Sequence, residues 1–318
     1  MIWYFLFFVI CCAALYFAGD WVVGGLSRIA KFLGWKEFVV AFFVMALAAS
    51  LPNLFLAIMA VINGVPELAL GDVMGGNVVD MTLAVALAAF FSKKGIDAKS
   101  RTVQTSIIFT FIAAVLPLML LLDNNLSRVD GAILLLLFFV YVYWLLSKKE
   151  RFKVIYNGHP VPIAKQLDRF LGDLAKIIAG ITVMMIVAQA IIYLAEGFSE
   201  SFAISLPLIG ILVVGLGNSF PEIYFGIISA RAGKTRMLLG DIMGAIIMPS
   251  TLVLGTVAMI SPFHINGLTM FAAARYFLLV AATVFYVCVK TGQRVSKKEA
   301  FVLLFVYISF LITEILAK

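Results

Sequence analysis

Residues 44–83 recur at 213–252 with a constant offset of 169 and no gap. Matching pairs include Ser50/Ser219, Pro52/Pro221, Gly64/Gly233, Gly71/Gly240, Asp72/Asp241, Gly75/Gly244 and Thr82/Thr251. These are polar, Gly and Pro positions, where hydrophobic bias alone would not generate identities, so the chain consists of two copies of one structural unit. A site shared between such copies falls on the axis that relates them.

The unit is suited to lipid rather than water. With 64% apolar residues, 13% charged residues and a mean hydropathy of +1.10, the chain has too little polar surface for a soluble domain of its length. Stretches long enough to cross about 30 Å of hydrocarbon run over 2–26, 38–62, 68–92, 103–122, 130–147, 171–195, 206–230, 238–260, 268–289 and 299–316. The expectation is an all-α polytopic membrane protein of ten transmembrane helices. Residues 1–147 form a first five-helix repeat, 148–170 a linker and 171–318 a second repeat. The first stretch lacks a basic leading segment and a small-residue cleavage site, so it reads as a span and not a signal peptide.

Charge gives the orientation. Alternate loops carry Arg28, Lys31 and Lys36; Lys93, Lys94, Lys99 and Arg101; the 148–176 cluster; Arg231, Lys234 and Arg236; and Lys290, Arg294, Lys297 and Lys298. Only Arg128, Arg275 and Lys318 remain for the opposite face, so the positive-inside bias puts both termini outside. An odd number of spans per copy then inverts the second repeat relative to the first. Basic loops facing anionic lipid account for the net charge of +7 without nucleic acid.

Several chemistries lack sequence support. Cys11, Cys12 and Cys288 have no metal-ligand spacing and read as apolar thiols. His159 and His264 lie in loops, and no HExxH, acid cluster, P-loop or nucleophile elbow is present. Neither an enzyme nor a bound cofactor is expected. The linker contains the breaker His159-Pro160-Val161-Pro162, and Ile163, Leu167, Phe170, Leu171 and Leu174 follow as an apolar stripe able to lie on the inner leaflet.

The polar chemistry is concentrated in the repeat. Ala48-Ala49-Ser50-Leu51-Pro52-Asn53 interrupts one apolar helix, and Gly217-Asn218-Ser219-Phe220-Pro221-Glu222 interrupts its counterpart. Each Pro deprives the carbonyl four residues earlier, at Ala48 and Gly217, of its helical donor. Within a bilayer such a carbonyl is tolerated only where protein, water or an ion satisfies it. Glu222 near mid-membrane costs several kcal/mol unless it faces a cavity or partner, and Asp80 in the following helix poses the same problem. Each half therefore contributes one carboxylate.

Asp72 and Asp241 sit in Leu70-Gly71-Asp72-Val73-Met74-Gly75 and Leu239-Gly240-Asp241-Ile242-Met243-Gly244. With helices beginning at 68 and 238, each falls near a first turn, where a carboxylate stabilises the positive dipole end or lines an access path. Asp72 and Asp80 are about 12 Å apart along the helix axis. Gly71, Gly75, Gly240 and Gly244 form small-xxx-small steps suited to close helix packing.

The two kinked segments and the glycine-rich helices after them resemble the alpha repeats of the calcium:cation antiporter superfamily, whose sodium/calcium exchangers carry a G-T-S-x-P-E core followed by a G-N-x-x-G-S-N-type helix. The resemblance covers both halves and implies ion binding between the second, third, seventh and eighth spans, with the first and sixth sliding during alternating access. Ser50, Ser219 and Glu222 match the family pattern, and Asp80 stands where the family has an Asn or Asp ligand. Asn53 replaces an acidic ligand, Pro249 replaces an amide or acid ligand, and Gly76 and Ala245 replace small hydroxyl residues. Asp72 and Asp241 replace the family's Asn after Gly.

The sequence thus points to a secondary active cation antiporter, with inorganic cations and the lipid bilayer as its partners. Glu222, Asp80, Ser50, Ser219, Asn53 and Asn218 and the carbonyls of Ala48 and Gly217 are the candidate metal ligands. Oxygen ligands without thiol or imidazole favour Ca²⁺ or Mg²⁺ over softer ions, with Ca²⁺ exchanged for Na⁺. The alternatives are a proton-coupled divalent exchanger and a transport-inactive membrane scaffold or sensor. The short loops point to a prokaryotic plasma membrane.

Overall fold

A computed structural model describes residues 37–147, 205–233, 235–265 and 271–316, with isolated positions between 6 and 21 and between 172 and 199. The expected first span, the sixth span, the linker and its apolar stripe lie outside the continuously described residues. The helices are α1 (Glu37–Ile62), α2 (Pro66–Val79, a π turn Asp80–Ala84, then Val85–Phe91), α3 (Arg101–Leu120) and α4 (Arg128–Ser147). In the second half come α5 (Leu206–Ile209, a π turn Gly210–Val214, then Gly215–Asn218) and α6 (Phe220–Arg231). They are followed by α7 (Thr235–Met248, a π turn Pro249–Val253, then Leu254–Ile260), α8 (Ala272–Lys290) and α9 (Lys297–Leu316).

The register of the sequence repeat reappears in backbone geometry. α2 and α7 match residue for residue at the same offset, including their π turns at Asp80–Ala84 and Pro249–Val253, and α4 matches α9. In each π turn a Thr hydroxyl donates back one turn, Thr82 to the Val78 carbonyl and Thr251 to the Ile247 carbonyl. α4 and α9 start with equivalent caps. Ser127 donates its N–H and Oγ–H to Asp130 Oδ2 at 2.8 and 2.6 Å, and Ser296 donates both to Glu299 Oε2 at 2.7 Å. Such a cap is worth about 1 kcal/mol, so each copy specifies this helix start locally.

Two short antiparallel ladders tie the halves together. Ile96–Asp97 (β1) pairs with Arg294–Val295 (β4), and Asn125–Leu126 (β2) pairs with Phe263–His264 (β3). The first ladder joins two Lys- and Arg-rich loops, and Thr235 Oγ1, beside a third, donates to the Asp97 carbonyl at 3.5 Å. The second joins two loops poor in basic residues. These three basic loops therefore share one end of the described bundle, as a sided membrane topology requires.

Among the described residues, α3, α8 and α9, residues Arg128–Leu145 of α4, Leu238–Ile260 of α7 and Pro66–Phe91 of α2 are long and apolar enough to cross a membrane. The α5–α6 pair can supply a seventh span. Burial separates core from periphery: the α2 and α7 spans are 78% and 83% buried, whereas α4 and α9 are about a third buried and present Leu136, Phe139, Tyr143, Phe301 and Phe305 outward. The helices that carry the repeated polar motifs are thus enclosed by helices whose apolar faces suit lipid.

α2 and α5 touch backbone to backbone. A Cβ at Gly71 would lie 2.7 Å from the Pro207 carbonyl oxygen, one at Gly210 would lie 2.6 Å from that of Leu68, and one at Gly75 would overlap Ile211. The glycine steps of α2 have the expected packing role. Among the described residues a Cβ at Gly240 would meet nothing within 4 Å.

Candidate functional site

The site begins with the two prolines. Pro52 lies within α1, which continues unbroken to Ile62, while Pro221 follows a break at Ser219, where the segments Leu206–Asn218 and Glu222–Arg231 meet at 42°. The two copies were expected to kink alike. They differ because Gly215 and Gly217 lead into the second break, whereas Ala46 and Ala48 occupy the equivalent positions of helical α1. In both, proline has no N–H to return to the carbonyl of Ala48 or Gly217. Sequence reasoning missed a third instance of the same rule: Pro249 stands four residues after Ala245 and opens the π turn of α7. π turns of this kind are common at functional sites because they displace side chains from the regular helical face.

These irregular backbones converge on one cavity with room for about one water-sized body. α1 contributes Ser50 and Asn53; α2 contributes Asp72, Val73, Gly76, Asn77 and Asp80. Asn218 and Ser219 at the break, Glu222 of α6, and Ala245 and Pro249 of α7 complete its wall. Of the predicted side chains, Ser50, Asn53, Asp80, Asn218, Ser219 and Glu222 are brought together; Asp241 is half-buried and lies off this wall.

Among the described residues, three buried oxygens on the wall have no hydrogen-bond partner: Ser50 Oγ, Asp80 Oδ1 and Glu222 Oε2. Their residues are only 3%, 4% and 7% exposed. Buried acceptors without donors are rare in folded proteins and call for a missing partner. Asp80 and Glu222 are also within electrostatic reach of each other and of both Asp72 and Asp241. In this low-dielectric interior, a bound cation or a proton relieves the mutual repulsion. Among the described residues no three His, Cys, Asp or Glu groups sit close enough to form a metal cluster by themselves. An ion here would therefore complete its shell with hydroxyl, amide and carbonyl oxygens, a donor set suited to a hard cation.

Two findings revise the sequence reading of α2. The helix starts at Pro66, pre-organised for the first turn, so Asp72 lies beyond that turn and a helix-end role is removed; α7 likewise starts at Thr235, ahead of Asp241. Asp72 is 1% exposed, lies on the central cavity and accepts a 2.8 Å hydrogen bond from Asn218 Nδ2. Asn77 was overlooked. Its Nδ2 donates to Ser250 Oγ at 2.7 Å, linking the α2 wall of the cavity to the π turn of α7. An amide three residues before Asp80, in an otherwise apolar run, was the available signal.

The family model for "Sodium/calcium exchanger protein" matches residues 3–147 and 173–316, nearly the entire chain. The chain belongs to the sodium/calcium exchanger family. It is a multi-pass membrane protein, and its family is one of transporters of inorganic cations rather than of enzymes. Its relatives include the sodium/calcium exchanger MaX1 of Methanosarcina acetivorans, 25% identical and aligned over 92% of this chain and 93% of that one. Another is the inner membrane protein YrbG of Escherichia coli, 26% identical over 86% and 84% of the two chains. Among solved structures, the sodium-calcium exchanger NCX_Mj soaked with Na⁺ and Sr²⁺ shares the fold. Its TM-score is 0.66 at 22% identity, with 98% of this chain and 99% of that one covered.

Proposed function

We propose that this family member is a secondary active antiporter that exchanges Ca²⁺ for Na⁺ by alternating access at the cavity between α1, α2, α6 and α7. The observation that carries the reading is the set of partnerless buried oxygens of Ser50, Asp80 and Glu222 around a space the size of one ion. Asp80 and Glu222 supply two negative charges for one divalent ion. Ser219, Asn53, Asn218 and the carbonyls of Ala48 and Gly217 supply neutral oxygens, at a number and hardness that suit Ca²⁺. Asp241, off the central wall, lines an access route and concentrates cations near it.

The architecture belonging to this reading has ten spans in two inverted five-helix repeats, residues 1–147 and 171–318, joined by a cytoplasmic linker at 148–170. Both termini lie outside a prokaryotic plasma membrane. The recurrence of α2 as α7, and of α4 with its cap as α9, supports the duplication, and the pairing of basic loop with basic loop supports the sidedness.

Ca²⁺ uptake into proteoliposomes under imposed Na⁺ or pH gradients tests the function. Uptake driven by an outward Na⁺ gradient is the expected result. Uptake that follows only the pH gradient would assign the coupling to protons, and no uptake under either gradient would leave a transport-inactive membrane protein.

A further inference from the structure

The 2.7 Å bond from Asn77 Nδ2 to Ser250 Oγ crosses from one repeat to the other, and its residues are 2% and 1% exposed. Asn77 is on the cavity wall, three residues before Asp80. Ser250 is off the wall but directly follows Pro249, which is on it. Among the described residues this is the one side-chain hydrogen bond between α2 and α7.

α7 brings Ala245 and Pro249 to the cavity, neither of which has a side-chain oxygen. Its side chains therefore bound the space without coordinating an ion. Pro249 has no N–H with which to anchor itself, so the bond at the next residue is the nearest polar tie from this wall to α2. The repeat holds no second copy of it: at the offset of 169 the counterparts of Asn77 and Ser250 are Ile246 and Met81, both apolar and fully buried. Apolar packing serves at the mirrored positions. What a hydrogen bond adds is a separation fixed to a few tenths of an ångström.

That tolerance is the one that matters for telling divalent ions apart. Ca²⁺ binds oxygen at about 2.3–2.6 Å and Mg²⁺ at about 2.0–2.1 Å, so cavity size and stiffness, together with ligand number, decide between them. Resting on the antiporter reading above, we infer that the Asn77–Ser250 bond is a specificity element, which holds the α7 wall against α2 and so sets the preference of the site for Ca²⁺ over Mg²⁺. Asn77 and Ser250 act here as positioning residues, through the separation they impose between Pro249 and Asp80.

Ser250→Ala tests this without removing a group from the cavity wall. Ca²⁺ and Mg²⁺ affinities are read separately, from cation-dependent thermal stabilisation of the purified full chain. The Ca²⁺ to Mg²⁺ affinity ratio is expected to fall about threefold or more as the wall loosens. Ser250→Thr keeps the hydroxyl and is expected to retain the ratio of the parent. Thr110→Val removes a buried hydroxyl from α3, away from the wall, and is expected to leave the ratio unchanged whatever it does to the melting temperature.

A smaller fall in S250A, an equal fall in T110V, or a parent that binds the two ions equally overturns the inference and leaves the antiporter reading standing. If the parent itself binds no divalent cation, both fail. Should S250A not fold, Ser250→Cys leaves a weaker acceptor in the same place. Its ratio must then fall as well, and an unchanged ratio overturns the inference.

Discussion

Replacing Gly75 and Gly76 separately by alanine tests how closely the central helices are packed. A Cβ at Gly75 would lie 2.7 Å from Ile211 Cα and 2.8 Å from its carbonyl carbon. Carbon atoms in good contact are about 3.5–4.0 Å apart, so α2 and α5 must separate by roughly 1 Å. Overpacking of this kind costs about 1–3 kcal/mol, while alanine returns about 0.8–1 kcal/mol of helix propensity relative to glycine. At Gly76 the nearest atoms to a new Cβ, Gly215 O and Ser219 Oγ, are at 3.7 Å, an ordinary contact. Only the propensity gain then remains.

The adjacent variants should consequently differ by about 1–3 kcal/mol in stability, with G75A the weaker, a gap of several degrees in Tm. Thermal unfolding in detergent measures it. The same separation would stretch the Asn218 to Asp72 bond, now 2.8 Å, beyond hydrogen-bonding range. Equal melting temperatures for G75A and G76A would refute the reasoning, because the clash is the only large term separating them.

The remaining predictions concern the cavity. Glu222→Gln and Asp80→Asn should each reduce Ca²⁺ uptake tenfold or more, from the loss of a charged ligand worth about 1.5–3 kcal/mol; folded protein with normal exchange would remove either residue from the site. Gly76→Ser has room for its Cβ and should tighten Ca²⁺ binding severalfold by adding a hydroxyl oxygen, which a Ca²⁺ titration of thermal stability measures. Saturating Ca²⁺, at about 100 times Kd, should stabilise the parent by about 2.7 kcal/mol, and failure of E222Q to remove that increment would place the ion elsewhere. Asp241→Asn should weaken apparent affinity only for cation presented at the inner face of oriented vesicles; an equal effect from both faces would assign Asp241 to the central site.

The duplication, the affinity for lipid and the grouping of basic loops were legible in the sequence because each depends on residue type at fixed spacing. Apolar runs, Lys and Arg positions and identities offset by 169 carry that information without a fold. The same holds for the prolines at 52 and 221, since the missing N–H is a covalent property, and for Glu222 and Asp80, whose charge in an apolar run requires a partner in any packing.

The tertiary structure decided which polar groups share a space. Asp72 and Asn218 are far apart in the chain, yet they meet because Gly71 and Gly75 let α2 approach the backbone of α5. Asn77 meets Ser250 by a similar crossing of the two halves. Sequence symmetry treats Asp72 and Asp241 as equals; packing separates them, since Asn218 faces one and its counterpart Ala49 offers the other no hydrogen bond. Periodicity reports which face of a helix is polar, but the depth of a crossing depends on atoms from both helices at once. That depth puts a third carboxylate on the cavity wall.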